Sequence, residues 1–412
     1  MTKITRWLAT LSVLMLVAAA CGEDSATDPG TDGTDGAEPA VEVVSEIGEL
    51  EDELNLIAWH GYTEDGTDYP DYDWITPFEE ETGCALNVKY ADTSDEMVTL
   101  MRQGGSYDGV SASGDASNRL IAGGNVAAID PALFDDMATV IGPLNPDGGT
   151  NNSHYVVDGY TYGVPWMYGP NFLMYNTDEV DPAPTSWDVT FEADSPYAGK
   201  VTAYDSPIFI ADAAMYLMAH QPDLGIQDPY ELTPEQLDAA VELLKQQSGL
   251  ISKYWALFTD EIDGFVDGSM VVGTAWPVNM TYAKADVPVE AVIPEEGVTG
   301  WADTWMMNKD AANPNCMLEW MRYSLTGEVQ AEVGIFYGAA GSNTESCDLI
   351  LEALGKGGEE LLNSVEYSFC GDEDFLNSIY LWKTPQETNA EGQGGFTDYS
   401  VWSQKWTEIR GA

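Results

Sequence analysis

Short apolar runs alternate with amphipathic stretches between residues 54 and 113, and this pattern predicts a regular order of strands and helices. The amphipathic stretch at residues 73–81 predicts one helix, and the next begins with Ser94 as its expected N-cap. The predicted strands are residues 54–59, 85–90 and 107–113. Strands that alternate with helices favour a mainly parallel sheet with helices on its faces.

The ends of these strands are the expected place for a binding site. In open sheets of this kind, ligands bind at the carboxyl ends of the strands. Four side chains that can contact a ligand fall there: Trp59, Tyr62, Ser113 and Asp115.

Two extended segments, at residues 162–170 and 172–176, flank a kink and predict the first crossing into a second lobe. The pattern places a strand at 200–204, a helix capped by Thr233 and a helix-to-strand unit ending at Trp276 in that lobe. A second crossing is predicted near residues 301–308. The remaining pattern predicts helices at 314–325, 326–333, 375–382 and 399–409, and a loop at 334–338.

The first twenty residues have the pattern of an export signal. Lys3 and Arg6 precede an apolar run at residues 8–17, which is too short to span a membrane, and small residues follow. Residues 18–22 are similar to a bacterial lipoprotein cleavage box, so Cys21 is the predicted lipidated N-terminus; a plain secretory peptide is the alternative. Residues 21–53 are predicted to be a flexible, acidic tether with little apolar surface to bury.

Charge narrows the classes of partner. The 412 residues include 70 Asp and Glu against 15 Lys and Arg, which gives a formal net charge of −55. Nucleic acids and anionic membrane surfaces require basic patches, so binding to either is not expected. The length suggests two domains. An acidic surface attracts cations without specificity and therefore supports a cationic ligand only weakly.

The most specific candidate chemistry lies in residues 300–305. Trp301 and Trp305 flank Asp303 there, and a carboxylate beside ring faces attracts an organic cation. Trp276 ends another apolar run and is a candidate for a second wall. The alternative interpretation is that the tryptophans are core residues and that Asp303 is a turn or cap.

Apart from Cys21, the chain contains four cysteines: Cys84, Cys316, Cys347 and Cys370. An even number in an exported protein favours two disulfides, for which the sequence allows three pairings. Metal binding by these residues is the weaker alternative, because no Cys-x-x-Cys spacing occurs and the chain has three histidines. No cofactor and no metal site are predicted.

Several stretches occur in an order and spacing that carry a family resemblance. They are Trp-His-Gly-Tyr at 59–62, Phe-Glu-Glu-Glu-Thr-Gly at 78–83, Tyr-Asp-Gly-Val at 107–110, Val-Pro-Trp at 164–166, Ala-Gly-Lys at 198–200, Trp276, Trp-Ala-Asp at 301–303 and Gly-Ile-Phe-Tyr at 334–337. From residue 54 to about residue 409 the chain resembles the spermidine/putrescine-type substrate-binding proteins of bacterial ABC importers.

This resemblance implies an α/β, two-lobed periplasmic-binding-protein (flytrap) fold of type II with a hinge. Lobe 1 is expected to comprise residues 54–170 and 304–340, and lobe 2 residues 171–303 and 341–412. Because Cys84 and Cys316 would then share a lobe, the expected disulfides are Cys84–Cys316 and Cys347–Cys370.

The resemblance also implies roles for individual residues. Trp59 and Tyr62 match positions that line the first lobe's side of the cleft, and Ser113 matches a polar contact. Trp276 and Trp301 match the aromatic pair around the ligand's methylene chain. The other matches are Asp303 as the carboxylate for an amine, Tyr337 as a further aromatic wall and, more loosely, Gln386.

The chain departs from the family pattern at two places. Where polyamine binders of this family carry a close acidic pair, this chain has Ser206 and Phe209. Asp205 remains next to Ser206 and is kept as a candidate ligand contact. Asp115 stands where an aromatic residue is expected; the alternative is that it is only the N-terminal residue of a helix. These departures suggest a shorter diamine or another cationic amine as the ligand.

The resulting hypothesis is capture without chemistry by an exported, lipid-anchored and monomeric protein. It would lie in the periplasm or on the outer face of the cell membrane, and would deliver the amine to an ABC permease and its ATPase. A secreted carbohydrate-active enzyme or sugar-binding protein is one alternative, since aromatic and acidic clefts also occur in glycosidases. A ligand-sensing subunit of a signalling system is another.

Overall fold

The computed structural model describes residues 41–104, 106–355, 367–390 and 392–411. The predicted signal peptide, Cys21 and most of the predicted tether lie outside the described residues. The strands, in chain order, are β1 Val43–Val44, β2 Glu53–Ala58, β3 Ala85–Tyr90, β4 Gly109–Ala112, β5 Ala128–Ile129, β6 Val156–Val157, β7 Tyr160–Thr161, β8 Val164–Pro170, β9 Phe172–Asn176, β10 Val201–Tyr204, β11 Ile251–Trp255, β12 Val272–Ala275, β13 Val289–Val292, β14 Thr299–Met307, β15 Ala340–Gly341 and β16 Tyr380–Leu381.

The helices of the same residues alternate with these strands. They are α1 Ile75–Thr82, α2 Ser94–Arg102, α3 Gly114–Ala122, α4 Asp188–Phe191, α5 Ile210–His220, α6 Pro234–Ser248, α7 Phe258–Asp267, α8 Pro277–Ala283, α9 Pro314–Ser324, α10 Gly327–Tyr337, α11 Glu345–Ala353, α12 Glu373–Ser378 and α13 Tyr399–Arg410. None of the helices in this part of the chain combines the length and apolar character needed to cross a membrane.

Two large sheets organise the α/β fold, one for each lobe. The first has seven strands in the order β15-β8-β14-β4-β2-β3, with β16 paired to β14. The second has five strands in the order β11-β10-β12-β9-β13. In each sheet three strands at one side are parallel: β3, β2 and β4 in the first sheet, and β11, β10 and β12 in the second. The remaining pairings along each sheet order are antiparallel. A small third sheet has the order β1-β5-β7-β6.

The first crossing between the large sheets lies where the sequence predicts it, because β8 ends at Pro170 and β9 begins at Phe172. The second crossing does not. It lies between Val292 and Thr299, and the whole of β14 belongs to the first sheet. Residues 299–303, assigned by the sequence to lobe 2, are therefore strand residues of the first sheet. The apolar pattern of this strand is continuous and contains no break that would mark the crossing.

The two crossings are joined by buried hydrogen bonds. The side-chain amide of Asn171 donates to Thr299 Oγ1 at 2.7 Å, and Thr299 Oγ1 donates to Asp212 of α5 at 2.9 Å. Burial raises the pKa of Asp212 to about 7. These contacts fix both connecting segments to one helix of the second lobe.

Most predicted elements occur, with corrections at their ends. Thr233 caps α6 in a complete capping box with Gln236, as expected. The cap of α2 is Thr93 rather than Ser94, because the Thr93 side chain accepts from the backbone of Glu96. The predicted loop at 334–338 is wrong, since α10 continues to Tyr337 and stops at Gly338, whose φ is 68°. The buried apolar side chains in the last turn of α10 outweigh the low helix propensity of its glycine.

The helix predicted at residues 375–382 is also wrong in its second half. α12 ends at Ser378, and β16 then adds to β14. Local pattern cannot distinguish a short edge strand from a last helical turn, because the pairing partner is about eighty residues away in the chain.

Residues 42–53, which the sequence predicts as tether, belong instead to the same compact unit as the rest of the described chain. β1 pairs in parallel with β5. The carboxylate of Glu51 accepts from the backbone of Asn315 at 3.3 Å and of Cys316 at 2.8 Å, in the first turn of α9. Acidic composition alone did not reveal this use of a carboxylate as a partner for a helix N-terminus.

Both expected disulfides are confirmed. Cys84 is bonded to Cys316, across 232 positions of sequence, and Cys347 to Cys370, across 23. The first bond joins the residue before β3 to the first turn of α9. β3 belongs to the first sheet, which carries most of the candidate site.

Replacing the Cys84–Cys316 pair by two alanines should reduce the free energy of unfolding. A crosslink restricts the unfolded chain, typically by about 2–5 kcal/mol and more for a longer loop. We expect a larger loss, by urea denaturation, than in the matched Cys347→Ala/Cys370→Ala variant. An equal or smaller loss would show that the longer crosslink does not act in this way.

Candidate functional site

One buried cavity brings together seven of the ten ligand contacts that the sequence predicts. Its empty volume is about 250 Å³, which includes space open to solvent. Trp301 and Asp303 lie within β14, and the other lining residues lie at or just beyond the ends of strands and helices. The lining residues are Trp59, Tyr62, Ser113, Trp276, Trp301, Asp303, Tyr337 and Trp382. Six of these eight residues are aromatic, and one is acidic. Among the described residues that line the cavity, none is basic.

Asp303 provides the charge of the cavity. It lies in β14 at the point where the pairing with β8 shifts register between Ala302 and Thr304. Such bulges redirect a side chain out of the regular pleat. The Asp303 carboxylate accepts hydrogen bonds from Tyr62 Oη at 2.6 Å and from Ser113 Oγ.

Burial dominates the protonation of this carboxyl group. Desolvation raises the pKa of Asp303 to about 7, although the two hydroxyl donors act in the opposite direction. Without a cation beside it, Asp303 therefore carries its charge only part of the time near neutral pH. A positive group placed in the cavity would favour the ionised form.

The tyrosine wall depends on a close approach of the backbone at Gly61. Its φ is +88°, and a Cβ atom there would lie 2.7 Å from the rings of Phe336 and Tyr337. Tyr337 donates its hydroxyl proton to the carbonyl of His60 at 2.6 Å. The Tyr62 ring lies 5.0 Å from that of Tyr337, so the two tyrosines hold each other in place beside Asp303.

The tryptophan wall comes from both sheets. Trp59 follows β2 of the first sheet, Trp276 follows β12 of the second, and their rings meet edge to face at 6.1 Å. Trp301 lies on β14 against Gly169, where a Cβ atom would approach its ring to 2.9 Å. Because Trp59 and Trp276 belong to different sheets, their contact closes the cavity.

Trp382 is a lining residue that the sequence analysis did not identify. It follows β16, and its ring stacks on Tyr204 at 5.6 Å. Gly114 makes its position possible, since a Cβ there would lie 1.7 Å from the Trp382 carbonyl oxygen. The sequence pattern predicts Trp382 as the last residue of a helix. Its place at the cavity is set by the pairing of β16 with β14, which no local pattern indicates.

The other three predicted contacts lie outside this cavity. Asp115 is buried in the first turn of α3, where Ser94 donates to it at 2.8 Å and Arg119 lies 3.9 Å away. Asp205 accepts from Trp406 Nε1 at 3.0 Å and pairs with Arg410 at 3.1 Å. Gln386 is exposed and lines a separate, wider cavity.

The two residues at the family's acidic places have structural roles. Ser206 precedes a short 3₁₀ turn and accepts from the backbone of Ile208 at 3.4 Å. Phe209 is buried between Phe191 and Trp406. Neither lines the cavity around Asp303.

Elsewhere in the described residues, Asp188, His220 and Glu296 bring three possible metal ligands within 4.8 Å of one another. His220 is already hydrogen-bonded to Glu296 at 2.9 Å and stacks on Tyr216, whose hydroxyl donates to Asp188. This group is separate from the aromatic cavity.

The arrangement is suited to binding a cation. Ring faces attract positive charge, and the buried carboxylate can neutralise it.

Residues 73–351 match the family model described as bacterial extracellular solute-binding protein. The chain belongs to this family. The description of the family agrees with the fold and the family that the sequence predicts.

Relatives of known sequence include two from well-studied bacteria. The putrescine/cadaverine-binding protein of Pseudomonas aeruginosa is 23% identical over 299 residues, covering 68% of this chain and 77% of the relative. The spermidine/putrescine-binding periplasmic protein of Escherichia coli is 22% identical over 288 residues, covering 68% and 76%.

Solved structures show the same two-lobed fold. A spermidine/putrescine ABC transporter substrate-binding protein from Streptococcus pneumoniae has a TM-score of 0.64 at 17% identity, covering 87% of this chain and 98% of that one. A periplasmic binding protein of A. tumefaciens in complex with glucopine has a TM-score of 0.62 at 14% identity, covering 87% and 99%. At these identities the likeness establishes the fold.

The raised pKa of Asp303 should appear in the pH dependence of stability of the ligand-free protein. Between about pH 4 and pH 7 the folded carboxyl keeps a proton that the unfolded chain has released, so its contribution is complete below that range and is lost as pH rises through about 7. Relative to Asp303→Asn, the wild type should lose up to about 1.4 kcal/mol per pH unit there. A difference between the two proteins that stays constant from pH 4 to pH 8, by urea unfolding, would contradict this pKa.

Proposed function

We propose that this protein captures a small cationic amine between its lobes and delivers it to the membrane permease of an ABC importer. The observation that carries the proposal is the buried Asp303 carboxylate, surrounded by aromatic rings and without a basic residue in the cavity lining. An ionised carboxylate in such surroundings is costly unless a cation neutralises it. The ligand would supply that cation.

The names of the relatives agree with this chemistry. The two sequence relatives from P. aeruginosa and E. coli are named for putrescine, cadaverine and spermidine, which are all cationic amines. The glucopine complex shows that proteins of this fold also bind other solutes. The fold therefore supports capture of a solute, and the cavity of this chain supports a cationic one.

Binding would be coupled to closure of the lobes. The edge-to-face contact of Trp59 with Trp276 must open to admit a ligand, and it re-forms when the sheets approach again. Closure then desolvates the cation and strengthens its attraction to Asp303 and the rings. The closed form would be presented to the permease, with an ATPase on the cytoplasmic side.

The same proposal includes lipid anchoring through Cys21, a periplasmic or outer-surface location and a monomeric state.

The enzymatic alternative has less support. A glycosidase needs two carboxyl groups that flank the scissile bond, whereas Asp303 is the one carboxylate among the described residues lining this cavity. A neutral sugar would stack on the rings but would leave the Asp303 charge uncompensated. A signalling subunit would use the same binding chemistry and would differ in the membrane protein that it contacts.

Asp303→Asn should weaken amine binding strongly. Removing one member of a buried charge pair costs about 2–5 kcal/mol, which corresponds to roughly thirtyfold or more in Kd. The matched control is Asp205→Asn, because Asp205 pairs with Arg410 away from the cavity. Isothermal titration calorimetry with a panel of amines measures both. Equal affinities of wild type and Asp303→Asn would refute the assignment.

Amine binding should also depend on pH with a defined sign. Because the pKa of Asp303 in the free protein is about 7, a cation that binds the ionised form must displace a proton. Below pH 7 we expect Kd to rise by up to about tenfold per pH unit, and above it to level off. Calorimetry in buffers of different ionisation enthalpy should detect about half a proton released at pH 7. Binding that is independent of pH and releases no proton would contradict the role of Asp303.

A further inference from the structure

The cavity contains one place for a positive charge. Asp303 is the carboxylate among its lining residues, and every lining side chain belongs to a residue that is at most 8% exposed to solvent. A second charged group held among these side chains would lose most of its hydration. The charge count of the ligand must therefore match that of the walls.

Three other carboxylates lie near the cavity without lining it. Asp115 is held by Ser94 and lies beside Arg119, and Asp205 is paired with Arg410. The carboxylate of Glu261 accepts from the side chain of Asn279 at 2.6 Å. None of the three lines the cavity, so none is placed to pair with a second ammonium group.

The wall contributed by the second sheet and β16 is wholly aromatic. Trp276 and Trp382 line it, and Tyr204 packs against both, with ring centroids at 4.9 Å and 5.6 Å. Trp255 backs Trp276 at 4.7 Å. Such a wall attracts a diffuse or methylated cation through its ring faces but gives no formal counter-charge.

We infer that the site selects an organic monocation, such as a primary alkylammonium or a quaternary ammonium ion, over diamines and polyamines. This inference rests on the proposed capture of a cationic amine and narrows it. The single positive group lies between the rings and Asp303. A second ammonium group would be buried without a partner, so the ligand that carries one binds more weakly.

The test compares ligands that differ in one charge. Calorimetry on the wild-type protein uses n-butylammonium against putrescine, which have the same four-carbon chain, and choline against its neutral carbon isostere 3,3-dimethylbutan-1-ol. Spermidine and tetramethylammonium complete the panel. We expect the monocations to bind at least about tenfold more tightly than putrescine, and the neutral isostere to bind at least about tenfold more weakly than choline.

The outcomes separate the two proposals. Tighter binding of putrescine or spermidine than of every monocation would overturn selection of a monocation but would support capture of an amine. The absence of binding by any cation would overturn both. Equal binding of choline and its neutral isostere would remove the role of charge and would also overturn both.

A pair of variants tests the charge count directly. Trp382→Glu places a second carboxylate on the aromatic wall, and Trp382→Gln opens the same space without a charge. Relative to Trp382→Gln, the glutamate variant should shift the ratio of putrescine to n-butylammonium affinity at least about tenfold toward the diamine. No shift between two folded variants would overturn the inference. If either variant fails to fold, the ligand panel on the wild-type protein decides alone.

Discussion

The burial of one carboxylate among aromatic rings is the constraint on which the site depends. Asp303 has two hydroxyl donors and no cation among the described residues around it, and desolvation therefore raises its pKa to about 7. The free site compensates by partial protonation, and a bound cation replaces that proton as the source of neutrality. Binding energy thus comes largely from completing a charge pair in surroundings that screen it poorly.

The fold places this carboxylate where both lobes can act on it. β14 pairs with β4 on one side and β8 on the other, and it carries Trp301 and Asp303 close to the crossing segments. The hydrogen bonds that join Asn171, Thr299 and Asp212 fix the same crossings. A change in the angle between the sheets therefore acts close to the ligand, and the contact between Trp59 and Trp276 is made or broken by the same movement.

Much of this could be predicted from the sequence, and the exceptions share a cause. The family and the two-lobed fold are carried by local patterns and by their order in the chain. The disulfide pairs and the grouping of Trp276, Trp301 and Asp303 follow from the family resemblance that this order carries. Trp382 was missed because its position follows from β16 pairing with a distant strand. The pairing of Asp205 with Arg410 joins residues at opposite ends of the second half of the chain, so no local pattern reveals it. The pairing of Asp115 with Arg119 was visible in principle, since residues four apart on a helix are neighbours.

Selectivity in this molecule cannot come from its overall charge. A net charge of −55 concentrates all cations near the surface, and salt screens this attraction at distances beyond about 8–10 Å. The attraction grows with the charge of the ligand. Long-range attraction alone therefore favours polyamines over monocations. The cavity acts in the opposite direction, because each unpaired charge taken inside loses its hydration and gains no partner. The balance is decided at the aromatic wall of Trp276 and Trp382, where a carboxylate would reverse the preference and an indole ring maintains it.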